Sequence, residues 1–269
     1  MLSAKQRWGV VRILLHFAAV YATIVAVGTI GWYFTERTYP EPVPALLKLR
    51  DPVVAVAEII IPMGVGVVMT AFLVRRSNLR ALVWREPEYV SPELGGKAPT
   101  YAPPIDTGDD LLLGSALSTE PEPFYDLRVQ PQISRLWWLL GMLVTLGAGL
   151  AIIYGVAHAQ VTPLSFVVGS IAAFTWAVSQ EYLLRGLVVA RARRFTRRDL
   201  VVLSISATLS LIWILPFAAT AYTPTRTLLM VLSGPVMSVP LFALRRMFTS
   251  LWAPIMAHFL LVTAFFVLV

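Results

Sequence analysis

The stretch "SQEYLLRG", Ser179–Gly186, sets a carboxylate and a guanidinium inside a run that otherwise has the composition of a membrane-spanning helix. Glu181 and Arg185 are four residues apart, so on a helix they share one face and can pair. An ionisable side chain near the centre of such a helix costs roughly 2.5–3.5 kcal/mol on insertion scales, so each one needs a reason. Mutual neutralisation explains why the two coexist. It does not explain why either is there.

The surroundings are consistent with a membrane. The 269 residues are 57% apolar with a mean hydropathy of +0.72, against about 45–50% apolar for a soluble domain. The excess falls in blocks near the ~20 residues that cross a bilayer. Seven spans are expected, at 10–34, 52–74, 136–159, 163–190, 200–221, 226–244 and 250–269. The fold class is therefore an all-α, polytopic integral membrane helical bundle, with short links near residues 160, 223 and 247 joining antiparallel neighbours. Prolines 216, 235, 240 and 254 suggest kinked helices around a central cavity, and Gly141, Gly147 and Gly149 suggest close helix packing on the third span.

The net charge of +7 does not point to nucleic acid, because the Lys and Arg residues collect at the ends of the apolar blocks. Seventeen of the 22 lie on the side that includes the N-terminus and four on the other, with Arg185 within the membrane. The positive-inside rule then places the N-terminus in the cytoplasm and the C-terminus outside. The basic start and long apolar run from residue 10 read as an uncleaved anchor. Residues 1–74 are expected to form two N-terminal spans and 136–269 a five-helix core. Between them, 75–135 is a Pro-rich, acidic cytoplasmic linker with eight of the 19 prolines. It is either disordered or a docking segment with "LLLGSAL" (Leu111–Leu117) as an apolar anchor.

"QEYLLRG" resembles the E-E-x-x-x-R-G motif of the CPBP family, the CAAX proteases and bacteriocin-processing (Abi) enzymes. Two further places agree. Trp213, in "LSLIWILPF", lies 28 residues after Arg185, where that family's F-x-x-x-H motif puts its first His. His258, in "LWAPIMAHFLLV", falls where the second His is expected, within L-x-A-P-I-x-x-H. The resemblance covers about residues 135–269. It implies an intramembrane glutamic endopeptidase in which the first Glu and first His activate a water, while the second His and an Asn or Asp stabilise the oxyanion.

Carried over residue by residue, that machinery is depleted. The general-base position is Gln180, an amide that takes no proton near neutral pH. The first-His position is Trp213, whose indole only donates. The motif aromatic is Leu209, and the last polar position is Val262. Glu181, Arg185 and His258 remain. General acid–base work and oxyanion stabilisation each supply several powers of ten in rate, so the resemblance implies a fold kept and catalysis lost. Such a protein would act as partner subunit, chaperone or regulator of another membrane or envelope protein. The alternatives are an active endopeptidase using Glu181 and His258, and a proton- or ion-coupled transporter using Glu58 in "AVAEIIIPMG".

Glu58 is the other intramembrane acid. It is expected to meet Arg185 or His258, or to hydrate near the interface, with Pro62 breaking its helix locally. "RARRFTRRD" supplies Arg191, Arg193, Arg194, Arg197 and Arg198 for contact with anionic lipid or a partner. His16 and His158 read as interfacial or core histidines. With no cysteine and one His deep in a span, no metal or other cofactor is expected. The partners implied are the lipid bilayer and another membrane protein, and the composition suits a bacterial cytoplasmic (inner) membrane.

Overall fold

A computed structural model describes residues 4–38, 51–79, 83–84, 88–89, 125–126, 147, 162–194, 196, 198–219, 224–248 and 250–268. The expected third span at 136–159, His158, Arg197, the "LLLGSAL" stretch and nearly all of the linker lie outside these residues. Six helices organise the rest: α1 (Ala4–Thr38), α2 (Pro52–Arg76), α3 (Pro163–Arg193), α4 (Asp199–Ala219), α5 (Pro224–Phe248) and α6 (Trp252–Leu268). Among the described residues, a two-residue antiparallel pairing of β1 (Glu88–Tyr89) with β2 (Tyr125–Asp126) ties together two points of the linker.

Helices α1, α2 and α3 are long and apolar enough to cross a bilayer, over Arg7–Glu36, Pro52–Arg76 and Pro163–Arg193; Asp199–Leu215 and Trp252–Ala264 are shorter apolar helices. Their outward faces carry large apolar side chains, among them Leu15, Val68, Leu164, Val236 and Met256, all exposed. Contiguous apolar surface of this extent suits lipid and not water. The inward faces are regular. On α1, Ile13, Phe17, Val20 and Ile24 form one buried stripe at helical spacing. They meet a core centred on α3, where Leu183, Leu184, Leu187 and Val188 are buried. The chain is an integral membrane helical bundle.

Packing follows chain order in part: α4 lies against α5, α1 against α2, and α6 closes the bundle against both α3 and α5. Close approaches need small residues. A Cβ on Gly31 would sit 2.2 Å from the Ala57 carbonyl oxygen, so α1 rests on the backbone of α2 there. Gly31→Ala is therefore expected to force these helices apart and lower the melting temperature in detergent, whereas Gly64→Ala, with nothing within 4 Å, should leave it unchanged. Gly147 also has nothing within 4 Å of its Cβ position, so the close packing expected there is not seen among the described residues.

Two helices contain π-turns, at Val56–Ile60 in α2 and Tyr182–Val188 in α3. The first follows from Pro62, which has no N–H to return to the Glu58 carbonyl, so the helix widens instead of breaking. Pro254 lies in the first turn of α6, where its missing N–H costs nothing, whereas Pro235 and Pro240 lie inside α5.

The basic ends of the helices gather at one end of the bundle. Helix α2 stops in a Schellman arrangement: Asn78 at φ 50° takes the left-handed position, and the Asn78 and Leu79 amides donate to the Arg75 and Val74 carbonyls. That turn presents Ser77, whose hydroxyl accepts from Arg191 Nη2 and whose carbonyl accepts from Arg194 Nη2 at 3.4 Å. Asp199 accepts from Arg193 at 2.5 Å and lies 3.8 Å from Arg246. Trp84 stacks on Tyr182 and packs against Trp252, and its carbonyl accepts from the Leu251 amide. Helices α2 to α6 are thus joined at this end.

Candidate functional site

Glu181 and Arg185 sit on α3 ten and six residues before Arg191 at the basic end, or roughly 15 Å and 9 Å along the helix, so Glu181 lies about half a hydrocarbon core from that end. Both are fully buried. Arg185 Nη1 donates to Glu181 Oε1 at 3.1 Å, confirming the face expected from their spacing. His258 of α6 brings Nδ1 to 2.7 Å of the same oxygen. One carboxylate oxygen therefore receives both surviving partners, and Oε2 of Glu181 is buried with no protein partner.

The far side of the guanidinium reaches residues that the family motif does not mention. Arg185 Nη2 donates to Ser238 Oγ on α5 at 2.9 Å. That hydroxyl is also 2.9 Å from Ser210 Oγ on α4 and 2.9 Å from the Gly234 carbonyl. Ser210 in turn lies 2.9 Å from the Ser206 carbonyl. Gly234 makes this possible, since a Cβ there would come within 2.9 Å of the Ser210 carbonyl oxygen. Four helices, α3 to α6, thus meet in one buried polar chain. A signal for it exists in the sequence as two small-residue pairs at i, i+4, Ser206/Ser210 and Gly234/Ser238, the pattern of close membrane helix packing. Ser238→Ala would leave Arg185 Nη2 buried without that acceptor. A loss of about 1–3 kcal/mol is expected, read by thermal unfolding in detergent.

The base position lies on an adjoining face of α3, about 100° around the helix from Glu181, and the first-His position lies on α4. Gln180 is buried, and its Oε1 accepts from Trp176 Nε1 at 2.9 Å, one turn back on the same helix. Trp176 meets Trp213 edge to face, with ring centroids 6.4 Å apart. Trp213 is 0% exposed and also packs against Tyr21 of α1 at 5.9 Å. Tyr21 donates its hydroxyl to the Ile212 carbonyl at 3.0 Å, which anchors α1 over the indole. Leu209 is buried on the turn before. Val262 of α6 is partly buried and offers no hydrogen bond.

Glu58 meets Thr35 of α1, whose hydroxyl donates to Oε1 at 2.5 Å, and not Arg185 or His258. The reason is the π-turn and the Gly31 contact, which press this part of α2 against α1. Arg191, Arg193 and Arg194 reach Ser77 and Asp199 within the chain, and Arg198 is exposed. His16 is partly buried on α1. Among the described residues, no three His, Cys, Asp or Glu side chains come together as a metal site would require.

The interior of the bundle thus joins the Glu and Arg of one motif to the His of another. Residues 162–264 carry an Rce1-like domain, matching the family described as type II CAAX prenyl endopeptidase Rce1-like. The match spans α3 to α6 and all three motif regions, so the CPBP resemblance holds for that part of the chain. No curated protein and no solved structure matches.

Proposed function

We propose that this CAAX-protease-like membrane protein has lost catalysis and serves as a partner subunit, chaperone or regulator of another membrane protein. The observation that carries this is the state of the base pair of positions. Gln180 cannot take a proton from water and is held by Trp176, while the place of its His partner is filled by the buried indole of Trp213. The surviving Glu181 and His258 are spent on each other and on Arg185.

The full architecture proposed is seven spans, with residues 1–74 and 136–269 in the membrane and 75–135 as a cytoplasmic segment available to a partner. The N-terminus is cytoplasmic and the C-terminus outside. Support comes from the shared basic end, where Arg75, Arg76, Arg191, Arg193, Arg194 and Arg246 collect on one side. The composition suits a bacterial inner membrane.

A tagged pull-down in mild detergent at native expression tests the role. A stoichiometric membrane partner, captured equally by the wild type and by His258→Ala, is expected. An empty pull-down, together with peptide processing that disappears in His258→Ala, would overturn it.

Residual proteolysis is the alternative that one observation favours: Glu181 and His258 lie 2.7 Å apart, with the second carboxylate oxygen buried and without a hydrogen-bond partner among the described residues. It requires Glu181 to act as base while its Oε1 is already held by both Arg185 and His258.

A further inference from the structure

We propose that the arginine-rich end of the bundle is a docking surface for anionic lipid headgroups, built from Arg75, Arg76 and Arg198 beside Trp84 and Trp252. The cluster that stands out in the sequence is largely committed elsewhere. Arg191 and Arg194 hold Ser77, Arg193 holds Asp199 and lies 6.0 Å from the Phe242 ring centroid, and Arg245 is buried. Arg75 and Arg76 at the end of α2 and Arg198 just ahead of α4 are exposed instead.

Charge complementarity decides the sign of the occupant. Asp199, the acid that opens α4, is already shared by Arg193 and Arg246. Arg75 and Arg76 gain from the negative end of the α2 dipole, but Arg198 stands at the positive end of α4 and gains nothing from that backbone. Its favourable partner is an external anion. Guanidinium groups match phosphate esters with paired N–H donors.

The two indoles decide between a lipid and a soluble acidic partner. Trp84 is 39% and Trp252 53% exposed, and their rings pack together with centroids 5.7 Å apart. The Leu251 amide, donating to the Trp84 carbonyl at 3.4 Å, holds them in register. Exposed indoles, apolar with one donor, belong at the headgroup level of a bilayer. An acidic peptide would use the arginines and leave the tryptophans in water.

The test uses the full chain reconstituted in vesicles that contain phosphatidylcholine and phosphatidylglycerol, with bromine on the acyl chains of one or the other. Quenching that is lost in Trp84→Phe/Trp252→Phe reports the lipid beside this pair. Brominated phosphatidylglycerol is expected to be preferred over brominated phosphatidylcholine by about fivefold per engaged arginine. That preference should vanish in Arg75→Gln/Arg76→Gln/Arg198→Gln, with helicity and melting unchanged. Equal quenching by the two lipids in the wild type would overturn the proposal, as would a preference that survives the triple substitution.

Discussion

Arg185→Leu is expected to destabilise the bundle by about 3–5 kcal/mol, because it leaves Glu181 buried beside His258 without its principal counter-charge. The guanidinium does two jobs that leucine cannot. It neutralises the carboxylate on its own helix, and it links that helix through Ser238 to α5 and through Ser210 to α4. Removing both charges together is a milder change, since burying a matched apolar pair avoids the cost of desolvating two ions. Glu181→Leu/Arg185→Leu should therefore recover much of the loss. Thermal unfolding in detergent separates these outcomes. An Arg185→Leu melting curve that overlays the wild type would contradict the structural role of the pair.

Trp213→Ala is the second large effect, again about 3–5 kcal/mol. The indole is the largest fully buried side chain of the described residues. It is held between Trp176 of α3 and Tyr21 of α1, so its loss opens a space bounded by three helices. Helix α1 stands outside the Rce1-like region, and Tyr21 joins it to α4 through both ring packing and the Ile212 carbonyl. The variant should accordingly loosen α1 as well as lower overall stability. Faster amide exchange along α1, with a reduced melting temperature, is the expected pair of readouts. Unchanged exchange there would show that the indole does not bridge the two parts of the chain.

Several helices were legible in the sequence because each is a continuous apolar block near the length that crosses a bilayer, apolar on its buried and its lipid-facing side alike. The expected spans at 52–74, 163–190 and 226–244 fall inside α2, α3 and α5. Local signals also placed Glu181 against Arg185, since four-residue spacing on a helix determines the contact without reference to any neighbour. The partnership of Glu181 with His258 is a different matter. It depends on α6 returning beside α3, and only the family resemblance hinted at it. Glu58 shows the limit of a one-dimensional view. Its companion is chosen by how closely α1 rests on α2 at Gly31, a property of two helices at once. The arginine cluster shows the same limit: Ser77, more than a hundred residues away in sequence, accepts from Arg191 and Arg194, a contact that no local pattern announces.

The replacements at the base and first-His positions make sense together in the structure. A Gln180 amide can be satisfied by the indole of Trp176, and Trp176 in turn packs its edge against Trp213. Aromatic packing thus occupies these two positions, with the Trp213 indole N–H buried and without a hydrogen-bond partner among the described residues. The side chains at the two positions are therefore linked in physical terms through Trp176.

We propose that the Glu181–Arg185 pair holds the bundle together and that Glu181 and His258 perform no hydrolysis. The direct measurement is a mass-spectrometric comparison of peptide termini in membranes from cells with the wild type, with His258→Ala and with the chain deleted, at matched expression of the two proteins. Identical termini in the wild type and His258→Ala are predicted. A set of termini present in the wild type and missing from both other strains would show a working peptidase, and the account would be wrong.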